Sequence, residues 1–316
     1  MSLYDLVIKG GTVVDGLRVP RFRADVAIKD GKIARVGGRI SESDAAEVLD
    51  ATGLIVGPGF VDLHTHYDAQ IQWDPYCTIS GWHGVTSVAL GNCGFGYAPV
   101  RPEERDRSMM MMARNEAIPL ESQREGMVWD WVTFPEWLDT LERIPKGVNC
   151  LSYMPLNPLL VWVMGLEDSK SRSATDAERA EMQRLLGEAM DAGACGFSLQ
   201  RLGENSVQAD YDGTPMPTDT MADEDVLALA DVLRERDEGL IQITQATQKA
   251  KDGVQFPEDD GTNSDYLFVE ALAARAQRPI LYNVVLALDD APEFHRGRMK
   301  WLDECNDRGL PIFGQG

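Results

Sequence analysis

From Gly59 onward, short apolar runs of β-forming residues alternate with stretches of helical periodicity, and this alternation restricts the chain to parallel βα units. The runs are Phe60 to His64, Thr86 to Leu90, Val148 to Met154, Cys195 to Leu199, Leu240 to Thr244, Pro279 to Val285 and Pro311 to Phe313. The clearest helix between them is predicted from Thr175 to Asp191. Thr175 and Glu178 have capping-box spacing, Met182, Leu185, Leu186, Ala189 and Met190 make one apolar face, and Gly193 supplies the stop. A second helix is predicted over Asp223 to Arg236, with Val226, Leu229, Ala230 and Leu233 inward. Seven strands of this kind point to an α/β fold of the (β/α)8 TIM-barrel type rather than an open sheet. There is no internal repeat. The run Met109 to Met112 reads as a lining or core patch, since methionine fills irregular apolar gaps.

A closed barrel of this type needs eight strands, and the seventh run is followed directly by Gly314-Gln315-Gly316. Either two strands are merged in this reading or the eighth strand is missing. A missing strand would leave unpaired edges, so a further C-terminal portion, a complementing C-terminal chain or a homo-oligomer is expected to cover them. Ahead of the barrel, Tyr4 to Ile8, Asp25 to Ile28 and Lys32 to Val36 read as strands of a small antiparallel sheet. Gly10-Gly11, Asp15-Gly16 and Asp30-Gly31 are the expected turns. The division expected is 1–57 for the small β portion and 58–316 for the barrel.

The 316 residues are 44% hydrophobic and 26% charged, the balance of an ordinary soluble globular protein. A formal net charge of −21 argues against a nucleic-acid partner, which needs a basic face. The start, MSLYDLVIKGG, lacks the charged and apolar regions of a signal peptide, and no apolar run reaches the roughly 18 residues of a membrane span. A cytoplasmic protein without a membrane partner is expected. Cys77, Cys93, Cys150, Cys195 and Cys305 are odd in number and widely spaced, as reduced thiols are.

The chemistry begins at Gly57-Pro58-Gly59-Phe60-Val61-Asp62-Leu63-His64-Thr65-His66. Two residues apart on a strand, His64 and His66 point to one side, and at the C-terminal end of a barrel strand that side faces the mouth. Two imidazoles so placed can grip one cation. A divalent ion lowers the pKa of bound water and polarises a carbonyl, the two requirements of amide hydrolysis at neutral pH. The next strand runs into Gly91-Asn92-Cys93-Gly94, which delivers Cys93 to the same mouth as a candidate thiolate ligand while glycines allow close backbone approach. Burial as a small hydrophobe, the usual fate of a free cysteine, fits Cys150 and Cys195 better. Of the remaining histidines, His83 precedes its strand and reads as structural, and His295 falls in a helical stretch and reads as a surface residue.

These segments resemble the amidohydrolase superfamily, and within it the N-acyl-D-amino-acid deacylase (D-aminoacylase) group. The stretches that carry the resemblance are GPGFVDLHTHYDAQIQWDP, HGVTSVALGNCGFGYAPVRPEER, WDWVTFPEWLDTLE and SATDAERAEMQRLLGEAMDAGACGFSLQRLG, covering much of the chain up to Gly203. The resemblance implies metal-ligand roles for His64, His66 and Cys93, with zinc as the metal. It also implies ligand histidines on strands five and six, a proton-shuttling aspartate after strand eight, and an N-terminal segment that is one part of a two-part β-sandwich. The chain departs from the pattern on strands five and six. Gly239 to Gln245 and Pro279 to Val284 hold no histidine, so one metal per chain is expected instead of two. Nor does strand four offer a lysine for a carboxylated bridge. Asp68 is a candidate substrate contact, and Gln242, Gln245 and Asn283 remain candidates as well, since amides both donate and accept. Arg201 is a candidate clamp for a substrate carboxylate, with a surface salt bridge as its ordinary alternative.

The function expected is hydrolysis of a small-molecule, non-peptide C–N amide bond by metal-activated water. Two alternatives stand beside it: a cyclic amide or imide hydrolase of the same superfamily, and a non-catalytic barrel subunit or scaffold that has lost metal ligands. Neither fold nor motif chooses between linear and cyclic substrates.

Overall fold

The structure is a computed structural model that describes residues 2–204, 206–246, 264–287, 289 and 292–316, and it divides into two units, Met1–Phe60 and Val61–Gly316. The first contains strands β1 (Tyr4–Val13), β2 (Phe22–Lys29), β3 (Lys32–Val36), β4 (Ala45–Asp50) and β5 (Ile55–Val56). Their order is β3-β2-β1-β4, with β5 also paired to β1. The pairs β1–β2 and β2–β3 are antiparallel, but β4 and β5 run parallel to β1, so the sheet is mixed where an antiparallel one was expected. The cause is a crossover after β3, which turn residues announce without fixing its direction. Asp30 (φ +51°) and Gly31 (φ +70°) do form the tight β2–β3 turn, with both residues in the left-handed region such a hairpin requires. Gly10-Gly11 is not a turn. It is a bulge inside β1, where Gly10 has φ +69° and a Cβ would sit 2.9 Å from Thr52 Oγ1. Buried Asp25 ties the sheet together, accepting from the backbone N–H of Gly10 and Ile40 and pairing with Lys9 at 3.0 Å.

The second unit carries β6 (Phe60–Asp62), β7 (Val85–Leu90), β8 (Asn149–Ser152), β9 (Met154–Pro155), β10 (Gly196–Arg201), β11 (Leu240–Gln245), β12 (Ile280–Asn283) and β13 (Ile312–Gln315). They form two sheets, β6-β7-β8 and β13-β12-β11-β10-β9. The run expected as one third strand is divided at Tyr153: its first half pairs with β7 and its second with β10, both parallel. The pairs β10–β11, β11–β12 and β12–β13 are parallel as well. Helices including Arg105–Glu116, Asp176–Ala192, Asp223–Arg236, Ser264–Ala276 and Phe294–Asp307 separate the strands. The helix Asp176–Ala192 starts on a capping box of Thr175 and Glu178 and stops at Gly193 (φ +112°). Met182, Leu186, Ala189 and Met190 are its buried residues, while Leu185 is only partly buried against the core. Met109, Met111 and Met112 pack into the same core. No helix among the described residues is long and apolar enough to cross a membrane.

Candidate metal centre

Strand β6 ends at Asp62, so His64 and His66 stand just past it and not within it. The segment is held by Thr65, whose N–H and Oγ1 both donate to Ala89 O of β7, at 3.3 and 2.7 Å. Residues on either side of a tethered one project away from the tether, which keeps both histidines on one side without ladder pairing. His64 Nδ1 lies 3.3 Å from Gln315 Oε1 at the end of β13. An amide oxygen only accepts, so the proton is on Nδ1 and the Nε2 lone pair faces Cys93 Sγ, also 3.3 Å away.

Cys93 is presented by the tight turn Asn92–Gly94 directly after β7. Gly91 opens that turn at φ +76°, and a Cβ there would meet Tyr153 O at 2.7 Å, so no other residue fits. Asn92 Nδ2 donates to Thr65 O and Ala89 O, at 3.1 and 2.9 Å, and so fastens the cysteine turn to the histidine segment. From β11, Gln242 Oε1 accepts the Cys93 N–H at 2.6 Å, and Thr244 Oγ1 lies 3.5 Å from the sulfur. One ligand atom from each of His64, His66 and Cys93 falls within 4.8 Å of the others.

The electrostatics suit a cation. Burial, helped by neighbouring His64, pushes His66 down to about 3, and burial lowers His64 too, so both imidazoles are neutral and keep a lone pair at physiological pH. Burial also pushes the Cys93 thiol up to about 12, so a thiolate there calls for a positive partner. His66 Nδ1 is buried without a hydrogen-bond partner among the described residues. Two nitrogens and one sulfur are a borderline-soft donor set, and an orphaned ring nitrogen beside them is what a zinc site leaves when read without its ion. The residues therefore fit the metal that the family resemblance implies. A cavity of about 290 Å³ opens over the two histidines, lined also by Asp62, Tyr67, Gln70 and Glu116.

Of the other residues singled out from the sequence, Gln242 is at the cluster, and Asn283 reaches it through Thr244, donating from Nδ2 to Oγ1 at 3.1 Å. Asp68 is buried beside the Cys93 turn, accepts from the Gly91 backbone and is pushed up to about 7 by desolvation. Arg201 and Gln245 are not brought to the cluster. They pair in register on β10 and β11 with the opposite parity to Gln242 and Thr244, so they face the helices. Arg201 bonds Asp223 and Met221 O and lies over the Phe268 ring, and Gln245 donates to Asp265. Three residues at the site were missed. Parity with Gln242 marks Thr244, but nothing local marks Glu116, 3.6 Å from His66 Nε2, or Gln315, 251 residues from His64. His83 is exposed, and His295 is partly buried in the last helix.

Residues 47–316 match the amidohydrolase family. The chain belongs to that family. N-acyl-D-aspartate deacylase of Alcaligenes xylosoxydans xylosoxydans is 36% identical over 194 residues, which are 61% of this chain and 36% of that protein. The solved N-acyl-D-glutamate deacylase of Bordetella bronchiseptica, complexed with zinc and a phosphonate inhibitor, superposes with a TM-score of 0.75 at 25% identity, covering 99% of this chain and 58% of its own. A D-aminoacylase structure concerned with a binuclear metal centre, one-metal activation and second-metal attenuation, superposes at 0.73 with 25% identity over 98% of this chain and 57% of that one. The chain thus spans about a third of the curated relative's length and under three fifths of the solved ones.

Proposed function

We propose that the protein is a metal-dependent hydrolase of a non-peptide C–N amide bond in a small molecule, of the N-acyl-amino-acid deacylase kind. The observation that carries this is the convergence of His64, His66 and Cys93 within 4.8 Å at adjacent strand ends, in a chain whose relatives are deacylases. These three residues would hold one zinc ion per chain. Zinc bound there supplies a polarised carbonyl and a water whose pKa falls towards neutrality. Gln242, with Oε1 on Cys93 N and Nε2 on Thr244, fixes the sulfur's place. Asn283 spends Nδ2 on Thr244 and can offer Oδ1 to a substrate N–H. Asp68 shapes the turn that presents Cys93, and the proton-shuttling aspartate would follow the eighth strand.

We read residues 58–316 as seven strands of a barrel closed by an eighth, and residues 1–57 as a portion of a two-part sandwich. In support, β6 and β13 each end a sheet, yet the His64 side chain just past β6 and the Gln315 side chain of β13 meet, with Nδ1 and Oε1 3.3 Å apart. Five free cysteines support a cytoplasmic location. The deciding experiment is a substrate panel on the full-length polypeptide, chelated and then reloaded with zinc. Hydrolysis of N-acyl amino acids supports the reading, turnover of hydantoins or imides alone replaces it with a cyclic amide hydrolase, and no turnover at any zinc load leaves a scaffold.

A further inference from the structure

Glu116 is the last residue of the helix Arg105–Glu116, and its position is fixed from two directions. Met109, Met111 and Met112 anchor the helix in the core, and Asn115 Nδ2 donates to Met111 O and Ala209 O at 3.0 and 2.9 Å. The carboxylate is poorly provided for. Its Oε1 is buried with no hydrogen-bond donor among the described residues, and it sits at a helix C-terminus, where the dipole disfavours an anion. Among the described residues an N–H-bearing neighbour is the His66 ring, with Nε2 at 3.6 Å, about half an ångström beyond hydrogen-bond length. The other ring nitrogen, Nδ1, is the buried orphan. Glu116 itself stands outside the 4.8 Å group of His64, His66 and Cys93 and lines the same cavity as the two histidines.

His64 shows the same device completed: an amide oxygen of Gln315 holds Nδ1, and Nε2 is aimed at Cys93. We propose that Glu116 positions His66 for the metal ion by accepting the Nε2 proton, which leaves the Nδ1 lone pair as the coordinating atom. A carboxylate on the far nitrogen of a ligating histidine fixes its tautomer and raises its basicity. The two histidines then present opposite nitrogens, each held on its other side by an oxygen acceptor. This inference rests on the reading of His64, His66 and Cys93 as ligands.

The test is a zinc titration against a competing chromophoric chelator, using the parent chain, His66→Ala, Glu116→Ala and Glu116→Gln, with melting curves of each chelated protein. Expected is a loss of about 10- to 100-fold in zinc affinity for Glu116→Ala. A smaller loss is expected for Glu116→Gln, which keeps a neutral acceptor like that of Gln315. The chelated variants should melt no lower than the parent, because Glu116 Oε1 is buried without a hydrogen-bond partner among the described residues. Parental zinc affinity in Glu116→Ala, with affinity lost in His66→Ala, overturns the inference and leaves the ligand assignment intact. A fall in the melting point of both chelated variants, parallel to the fall in affinity, also overturns it in favour of a structural role. Failure of the parent to bind zinc removes the ligand assignment itself, and this inference with it.

Discussion

The ends of β6 and β7 and the ends of β11 and β12 face one another across the site and are built on opposite principles. The first pair presents His64, His66 and Cys93, with one ring nitrogen left without a partner among the described residues. The second presents Gln242, Thr244 and Asn283, neutral groups that satisfy one another: both amides donate to Thr244 Oγ1, and Gln242 also accepts from Cys93 N. Groups that spend their hydrogen bonds on each other are poor cation ligands, while neutral imidazoles with idle lone pairs are good ones. Among the described residues the donor cluster lies on the first side and none lies on the second, which is the contrast behind the proposal of one ion per chain.

The largest effect that could break this contrast comes from the histidines. Substituting His64 or His66 by Ala should lower zinc affinity by about tenfold or more in a competition titration, since losing a ligand at least matches losing its outer support. Undiminished binding in the double variant would erase the distinction between the two regions. Next is stoichiometry. The parent should take up one tight ion per chain, and Gln242→His combined with Asn283→His should add a second. Two tight ions in the parent would mean that the amide side is no barrier.

Cys93 offers a pH test. Its thiol is pushed up to about 12 by burial, so in the chelated protein the reactive thiolate fraction grows with each pH unit below that value. Alkylation followed by mass spectrometry should therefore accelerate roughly tenfold per pH unit from 7 to 10 in the chelated protein and stay suppressed with zinc bound. Equal labelling in both states would make Cys93 a buried hydrophobe. The smallest effect is expected from Asn283→Ala. Removing one hydrogen bond to Thr244 should cost about 0.5–1.5 kcal/mol in denaturant melts and leave zinc affinity unchanged. A drop in affinity would join the two regions into one metal site.

What the sequence determined by itself lies where a few neighbouring residues decide the outcome. The capped helix from Asp176 to Ala192, the order of the strands, and the histidine and Gly-Asn-Cys-Gly segments are of that kind, because capping, turn conformation and apolar periodicity are local. Tertiary structure decided the rest of the site. Arg201 and Gln245 look as suitable as Gln242 in the sequence, but β10 is buried along its whole length, and in such strands polarity no longer marks which parity faces inward. Pairing register placed Gln242 and Thr244 at the cysteine and turned Arg201 and Gln245 to the helices. Glu116 and Gln315 reach the histidines from a helix end and a strand end far along the chain. Such contacts depend on how whole elements pack, and no spacing within either segment encodes them.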